Sequence, residues 1–478
     1  MFDRPERPVL SPAALDEALA LVASEMRRRA AGRSDEPVQR ERSQGLIARL
    51  AGGGLPATGQ PLGEVAADLV ALLDQRARTD HPRFFAFIPS PVSPASWIGE
   101  ALTAIANPHA GAWPQAEGPA AVEAALVRWF ADAAGLPDTA GGLFVSGGSM
   151  ANLTALVAAR DAALGDDDRH LGAAYISSET HSSVAKALRI IGVAASRIRR
   201  APVDADLRMD AGALAGMIAA DRRAGLKPFA VVATAGSTNC GAIDPLHDIA
   251  DVCAAERLWL HVDGAYGASI ALCPEHRALL AGLERADSLS WDAHKWLFQT
   301  YGCGLVLVRD RARLFDSFSA GPDYLRDATP DDGATNFWDL GPELTRPARA
   351  LKLWMTLRVM GLDAVAAAIG HGFRLAEAAE HALRATPDWV VATTAQCAIV
   401  TFRYAPEGLD DAAADAVTEA AARRILAEGY AAVGATRIGG RVALRICAIH
   451  PETTIADIEE TVRRLDACAR QELAALRP

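Results

Sequence analysis

A chain of 478 residues is longer than one compact core holds, so two or three structural units are expected. Half of the residues are hydrophobic and 22% are charged, as in ordinary globular proteins, and a net charge of -11 argues against a nucleic-acid partner, which wants a basic face. The seven cysteines form no CxxC pair, the start carries no signal-peptide pattern, and no apolar run approaches the roughly 20 residues that span a bilayer, so reduced thiols, a cytoplasmic setting and no membrane partner are expected.

The first eighty or so residues are rich in Ala and Arg and read as helices. Ser11-Pro12 is a helix start, after which Leu15, Leu19 and Val22 fall on one face; Gly52-Gly53-Gly54 and Gly59-Gln60-Pro61 are breaks between helices. Such a stripe needs a surface to cover it, and a partner subunit is expected to supply it. The segment from His81 to Pro91 is aromatic and punctuated by proline, and reads as an irregular segment lining a pocket, with a packed loop as the alternative.

From about residue 120 to 310 apolar runs alternate with helical patterns. The runs at 143–146, 173–176, 229–233, 258–262 and 304–308 read as strands, and helices are expected from Ser149 to about Leu164 and around 184–188. Continuous apolar strands between helices imply an α/β fold with a mostly parallel central sheet covered on both faces, whose ligands gather at the carboxyl ends of the strands. A long helix is expected after Pro347, ending at Gly361. Strands at 398–402 and 442–446 and a helix at 456–465 suggest a smaller C-terminal α/β unit. The expected organisation is a helical arm over 1–85, a large domain over 86–355 and a small domain over 356–478.

Residues with chemical potential fall after the strands. Ser146-Gly147-Gly148-Ser149 joins a strand to a helix, and its free amides and helix dipole suit an anion, although such junctions are common without one. His181 sits where an imidazole would lie flat on an aromatic ring, with a hydrogen-bonded loop histidine as the alternative. Thr238 lies in a run of small and hydroxyl residues. Asp263 ends a buried strand, where a carboxylate needs a cationic partner, for which a protonated pyridine nitrogen fits, with an aspartate capping a helix or paired with an arginine as the alternatives. Ala265 beside it is small enough to let a ring approach. Lys295, in Asp292-Ala293-His294-Lys295-Trp296, stands in an unusual place for a solvated charge and a good one for an amine that forms a Schiff base.

The order of cradle, histidine, hydroxyl loop, aspartate and lysine, each after a strand, resembles the group II pyridoxal-phosphate-dependent amino-acid decarboxylases, the family of aromatic L-amino-acid decarboxylase. The specific pieces are SGGSMANL at 146–153, HSSV at 181–184, HVDGAYG at 261–267 and DAHKW at 292–296. The resemblance implies fold type I and a pyridoxal 5'-phosphate cofactor. By that resemblance Ser149, Thr238 and His294 meet the phosphate, His181 stacks on the ring, Asp263 binds its nitrogen and Lys295 attaches to it; Gly148, Ala265 and Asp292 are expected to border the cofactor as well. Asp292 stands where animal aromatic decarboxylases have asparagine. Tyr324, in Gly321-Pro322-Asp323-Tyr324-Leu325-Arg326, matches a loop tyrosine that returns a proton after carbon dioxide leaves, whereas phenylalanine there accompanies aldehyde-forming oxidation.

The implied activity is decarboxylation of an L-amino acid to its amine. Phe84, Phe85, Ser90 and Trp113 fall in segments that line the substrate pocket in such enzymes, and aromatic neighbours favour tryptophan, tyrosine, phenylalanine or dihydroxyphenylalanine over glutamate or diaminobutyrate. Arg83, Arg346 and Arg349 are the residues that would weaken that expectation. Members of the family are homodimers with shared active sites, so a second copy is the expected partner; metal is not.

Overall fold

The computed structural model describes residues 10–31, 34–52, 54–319 and 334–476. Its larger sheet contains β1 (Gly141–Val145), β2 (Gly172–Ser177), β3 (Ile198–Ala201), β4 (Lys227–Thr234), β5 (Trp259–Asp263), β6 (Ser288–Asp292) and β7 (Gly304–Val308), in the order β1-β7-β6-β5-β4-β2-β3. The β2–β3, β2–β4, β4–β5 and β5–β6 pairs are parallel. β7 runs antiparallel to both β1 and β6. The link between Asp292 and Gly304 is shorter than the dozen or so residues that a helical crossover takes, so the chain can only turn back on itself there.

The apolar runs are continuous because both faces are covered. Every residue of β1, β2, β6 and β7 is buried. Along β4, Val231 and Ala233 pack into one core while Ala230 and Val232 pack into the other, the two-residue alternation of a strand. One face carries helices Gly148–Ala163 and Ser182–Ile190 through Leu156, Val184 and Leu188. The other carries helices Glu117–Ala133, Ala211–Arg223 and Leu246–Glu256 through Phe130, Leu214 and Ile249.

The helix expected after Pro347 spans Ala350–Met360 and stops at Gly361, whose φ of 78° is open to glycine. The chain bends there by 93° into helix Leu362–Ala385. A second sheet follows, β8 (Trp389–Gln396), β9 (Ile399–Tyr404), β10 (Gly434–Ile438) and β11 (Arg441–Cys447), antiparallel throughout in the order β10-β11-β9-β8. Helices Leu362–Ala385, Asp411–Ala427 and Ile455–Leu476 cover it through Leu375, Val417 and Val462. The last helix runs eleven residues past the expected end at 465, with Cys468 and Ala469 buried in the same core.

Helices Pro12–Ala31, Gln44–Gly52 and Leu62–Leu73 form the amino-terminal part, and none of them has a buried residue. Ser11 Oγ accepts the Ala14 amide at 3.2 Å, the capping expected of Ser-Pro. Leu15, Leu19 and Val22 remain 48%, 54% and 47% exposed. What ties this part together is charge: Asp74 receives Arg28, Arg29 and Arg40, and Glu36 receives Arg28, Arg40 and Arg78.

One buried ion pair joins the layers. Arg346 donates to both oxygens of Glu123, at 2.6 and 3.1 Å, and to the carbonyls of Ala110 and Phe144, while Glu123 Oε1 accepts the Phe144 amide at 2.8 Å. Both side chains are fully buried. Arg346→Met leaves Glu123 as an unpaired buried charge, and the expected loss in urea unfolding is about 3–5 kcal/mol. A loss below about 1 kcal/mol, the scale of an exposed pair, would contradict this reading.

Candidate active site

The carboxyl ends of β1, β2, β4, β5 and β6 open on one cavity of about 450 Å³. It gathers the residues singled out after each strand: Gly148 and Ser149, His181, Thr238, Asp263 and Ala265, then Asp292, His294 and Lys295.

The cradle after β1 is built by close approach. Helix Gly148–Ala163 starts one residue earlier than expected, with Gly147 as its N-cap and no side chain capping its first amides. A Cβ on Gly148 would stand 2.9 Å from the Ala265 Cβ and 3.0 Å from Asp292 Oδ2. A Cβ on Gly304 would meet Gly147 Cα at 2.5 Å. Only glycine lets β7, the cradle and the Asp292 carboxylate pack this tightly, and the helix start they form suits a phosphate.

Asp263, at the end of β5, is buried and held by three donors. Ser290 Oγ and the Ala265 amide reach Oδ1 at 3.1 and 3.2 Å, and Asn152 Nδ2 reaches Oδ2 at 3.0 Å. Among the described residues it has no arginine or lysine within ion-pair distance, so the alternative of a salt bridge fails and a cationic ring nitrogen remains the chemically apt partner. Asn152 was not singled out from sequence. It lies four residues after Gly148, on the same helix face as the cradle, and that spacing is the signal that would have found it.

Lys295 Nζ lies 3.0 Å from Asp292 Oδ2. Burial disfavours its charge, but Asp292 and, more weakly, Asp263 outweigh that, and its pKa stands above the ordinary lysine value. Asp292 Oδ1 is buried with no hydrogen-bond partner, an orphan at the wall of the cradle. His294 donates Nδ1–H to the Cys303 carbonyl at 3.0 Å, and burial lowers its pKa, so the neutral ring turns Nε2 toward the cradle. Tyr266 completes the wall, stacked on Trp296 at 5.0 Å. A cradle of uncapped amides, a fixed carboxylate and an amine within one cavity fit pyridoxal phosphate.

The expected substrate residues need correction. None of Phe84, Phe85, Ser90 and Trp113 lines this cavity. Phe85 is 1% exposed in the core of the small sheet, and Phe84 packs with Val38 and Ala432. Their backbone is committed as well: the Phe85 amide donates to Ala432 and its carbonyl accepts from Cys447. Hydrophobic burial against β11 wins over exposure to a ligand. Ser90 acts one step away, donating to the His294 carbonyl at 2.6 Å. Trp113 packs against the core beside β1 and β7, with its amide on Asn336 Oδ1. The exposed aromatic of the segment is Phe87, 72% accessible with φ 52°.

The three arginines in question point elsewhere. Arg83 stacks over Tyr430 and donates to the Tyr430 and Ser34 carbonyls. Arg346 is bound to Glu123, and Arg349 forms a two-bond pair with Glu343. A fourth, Arg445 on β11, is buried with Nε unpaired, no carboxylate within ion-pair distance among the described residues, and one bond to the Phe87 carbonyl. Its charge acts on Tyr266 of the cavity wall. Tyr324 lies outside the described residues.

This combination defines a fold type I pyridoxal-phosphate enzyme, and the comparisons narrow it. Residues 48–405 match the pyridoxal-dependent decarboxylase conserved domain. The chain is 41% identical over 404 residues to an aromatic-L-amino-acid decarboxylase of Bacillus atrophaeus, covering 84% of each. It is 35% identical over 425 residues to an L-2,4-diaminobutyrate decarboxylase of Rhizobium meliloti, covering 85% of this chain and 84% of that one. The crystal structure of Oryza sativa TDC with PLP and tryptamine superposes with a TM-score of 0.90 at 29% identity, over 98% of this chain and 99% of the other. The chain belongs to the pyridoxal-dependent decarboxylase family and is a pyridoxal-phosphate-dependent amino-acid decarboxylase.

The Lys295–Asp292 pair makes a pH prediction. Asp292 raises the proton affinity of the amine, so Asp292→Asn lowers it, and the reactive neutral amine prevails from a lower pH. The pH curve for the rate of cofactor capture by cofactor-free protein, followed by absorbance, is expected to move to lower pH. An unmoved curve would remove Asp292 as the counter-ion.

Proposed function

We propose that the protein decarboxylates aromatic L-amino acids to their amines, acting as a homodimer whose active sites are completed by the second copy. The observation that carries the substrate side is the cavity wall: Lys295, the amine assigned to the cofactor, is its only lysine or arginine among the described residues, so an acidic side chain meets no spare cation there. The relative from Bacillus atrophaeus supports the same substrate class. The dimer is supported by the amino-terminal helices, which bury no residue within one chain and need an apolar surface to be stable.

In this reading Gly148, Ser149, Thr238 and His294 hold the cofactor phosphate. His181 would stack on its ring with Ala265 leaving room for it, Asp263 would hold the ring nitrogen, and Lys295 would supply the covalent anchor. Pyridoxal phosphate, when bound, supplies an electron sink for the pair left behind as carbon dioxide departs. The chain does the rest by position. Asp263, fixed by three donors, keeps a negative charge at one point of the site. Tyr324 is assigned the return of a proton to the substrate carbon.

A panel of amino acids scored for amine product tests the substrate class. The expected order places tryptophan, tyrosine, phenylalanine or dihydroxyphenylalanine above glutamate and 2,4-diaminobutyrate. Faster turnover of glutamate or diaminobutyrate than of every aromatic would overturn it. Tyr324→Phe is expected to divert product toward aldehyde with release of ammonia and peroxide; an unchanged product ratio would remove the role assigned to Tyr324.

A further inference from the structure

Asn152 is 1% exposed, one turn into helix Gly148–Ala163, and stands at the junction of a hydrogen-bond chain whose direction can be followed atom by atom. Its Nδ2 donates to Asp263 Oδ2 at 3.0 Å and to Ser183 Oγ at 3.2 Å. A carboxylate only accepts, so the amide nitrogen must face Asp263 and Oδ1 must face away. There Oδ1 meets His261 Nε2 at 2.9 Å and has to receive a proton from it.

His261 is fully buried, and burial pushes its pKa down to about 4, so the ring is neutral with its proton on Nε2. Its Nδ1 then accepts from Ser288 Oγ–H at 2.8 Å, and Ser288 Oγ accepts from Trp259 Nε1–H at 2.7 Å. Toward the cavity, Ser183 Oγ takes the Asn152 proton and donates its own to His181 Nδ1 at 2.8 Å. The Ser183 backbone amide also points at that nitrogen, at 3.3 Å, and an amide N–H cannot accept. Two donors therefore meet His181 Nδ1, and the proton of the neutral ring belongs on Nε2.

We infer that Asn152 is a positioning residue: by orienting the Ser183 hydroxyl it reinforces the Nε2–H tautomer that the Ser183 amide also favours in His181, and through Nδ2 it holds Asp263, so one buried amide aligns both groups. His181 then presents a hydrogen-bond donor to the cavity from the nitrogen away from Ser183. The consequence for turnover rests on the proposed placement of His181 and Asp263 on the cofactor ring; the tautomer does not.

The test uses full-length, cofactor-free protein with ¹⁵N-labelled histidine, read by long-range ¹H–¹⁵N correlation, with the His181 signals assigned by their loss in His181→Gln. The wild type is expected to show His181 as the single Nε2–H form at a pH where the ring is neutral. Asn152→Ala is expected to give a mixture of tautomers and to weaken pyridoxal phosphate binding roughly tenfold, the scale of one lost hydrogen bond to a charged group. His261→Gln, which keeps an N–H donor toward Asn152, is expected to retain the wild-type pattern. Ser183→Ala interrupts only the link to His181 and is expected to give the same mixture of tautomers should the alanine at 152 fail to fold. A wild-type His181 carrying its proton on Nδ1, or an Asn152→Ala protein with unchanged tautomer and unchanged cofactor affinity, overturns the inference. Because the readout needs no substrate, inactivity toward every amino acid would count against the proposed function and not against this assignment.

Discussion

Two carboxylates and one amine sit within the same cavity, and their mutual placement determines what the site can do. Burial alone would drive the proton from Lys295; Asp292 in contact and Asp263 beyond it hold the proton on. The amine is thus kept in place as a cation until a ligand takes over its role. Asp263, by contrast, has hydrogen bonds but no cation within ion-pair distance among the described residues. A buried negative charge of that kind is costly unless a positive group joins it, and the cofactor's ring nitrogen is such a group.

The sheet is what brings these charges together. β5 and β6 are parallel neighbours in which Asp263 is level with Ser290, so Asp263 and Asp292 leave the sheet side by side. The helix after β1 then lies across them, with glycines at the points where any side chain would collide. The antiparallel β7 closes the arrangement by bringing Gly304 against Gly147.

The chemistry was legible in the sequence where it coincides with strand ends. Gly148, His181, Asp263 and Lys295 each follow an apolar run, and a parallel sheet sends such positions to one edge. Less legible were strands that alternate or stay partly exposed: β8 reads Trp-Val-Val-Ala-Thr-Thr-Ala-Gln and β10 reads Gly-Ala-Thr-Arg-Ile, with one face open in each. The direction of β7 was hidden as well, since apolar runs carry no sign of parallel or antiparallel pairing. Phe84 and Phe85 misled because an aromatic between prolines looks the same whether it meets a ligand or a core. Asn152 was overlooked because an amide within a helix acquires meaning only when β5 is placed beneath it.

Lys295 as the point of covalent attachment is the claim on which the account turns. Reduction of the cofactor-loaded protein with borohydride, followed by peptide mapping by mass spectrometry, tests it directly. The account predicts one phosphopyridoxyl group per chain, on the peptide containing Lys295, and none after Lys295→Ala. Modification of Lys186, Lys227 or Lys352 with Lys295 left unmodified would contradict it.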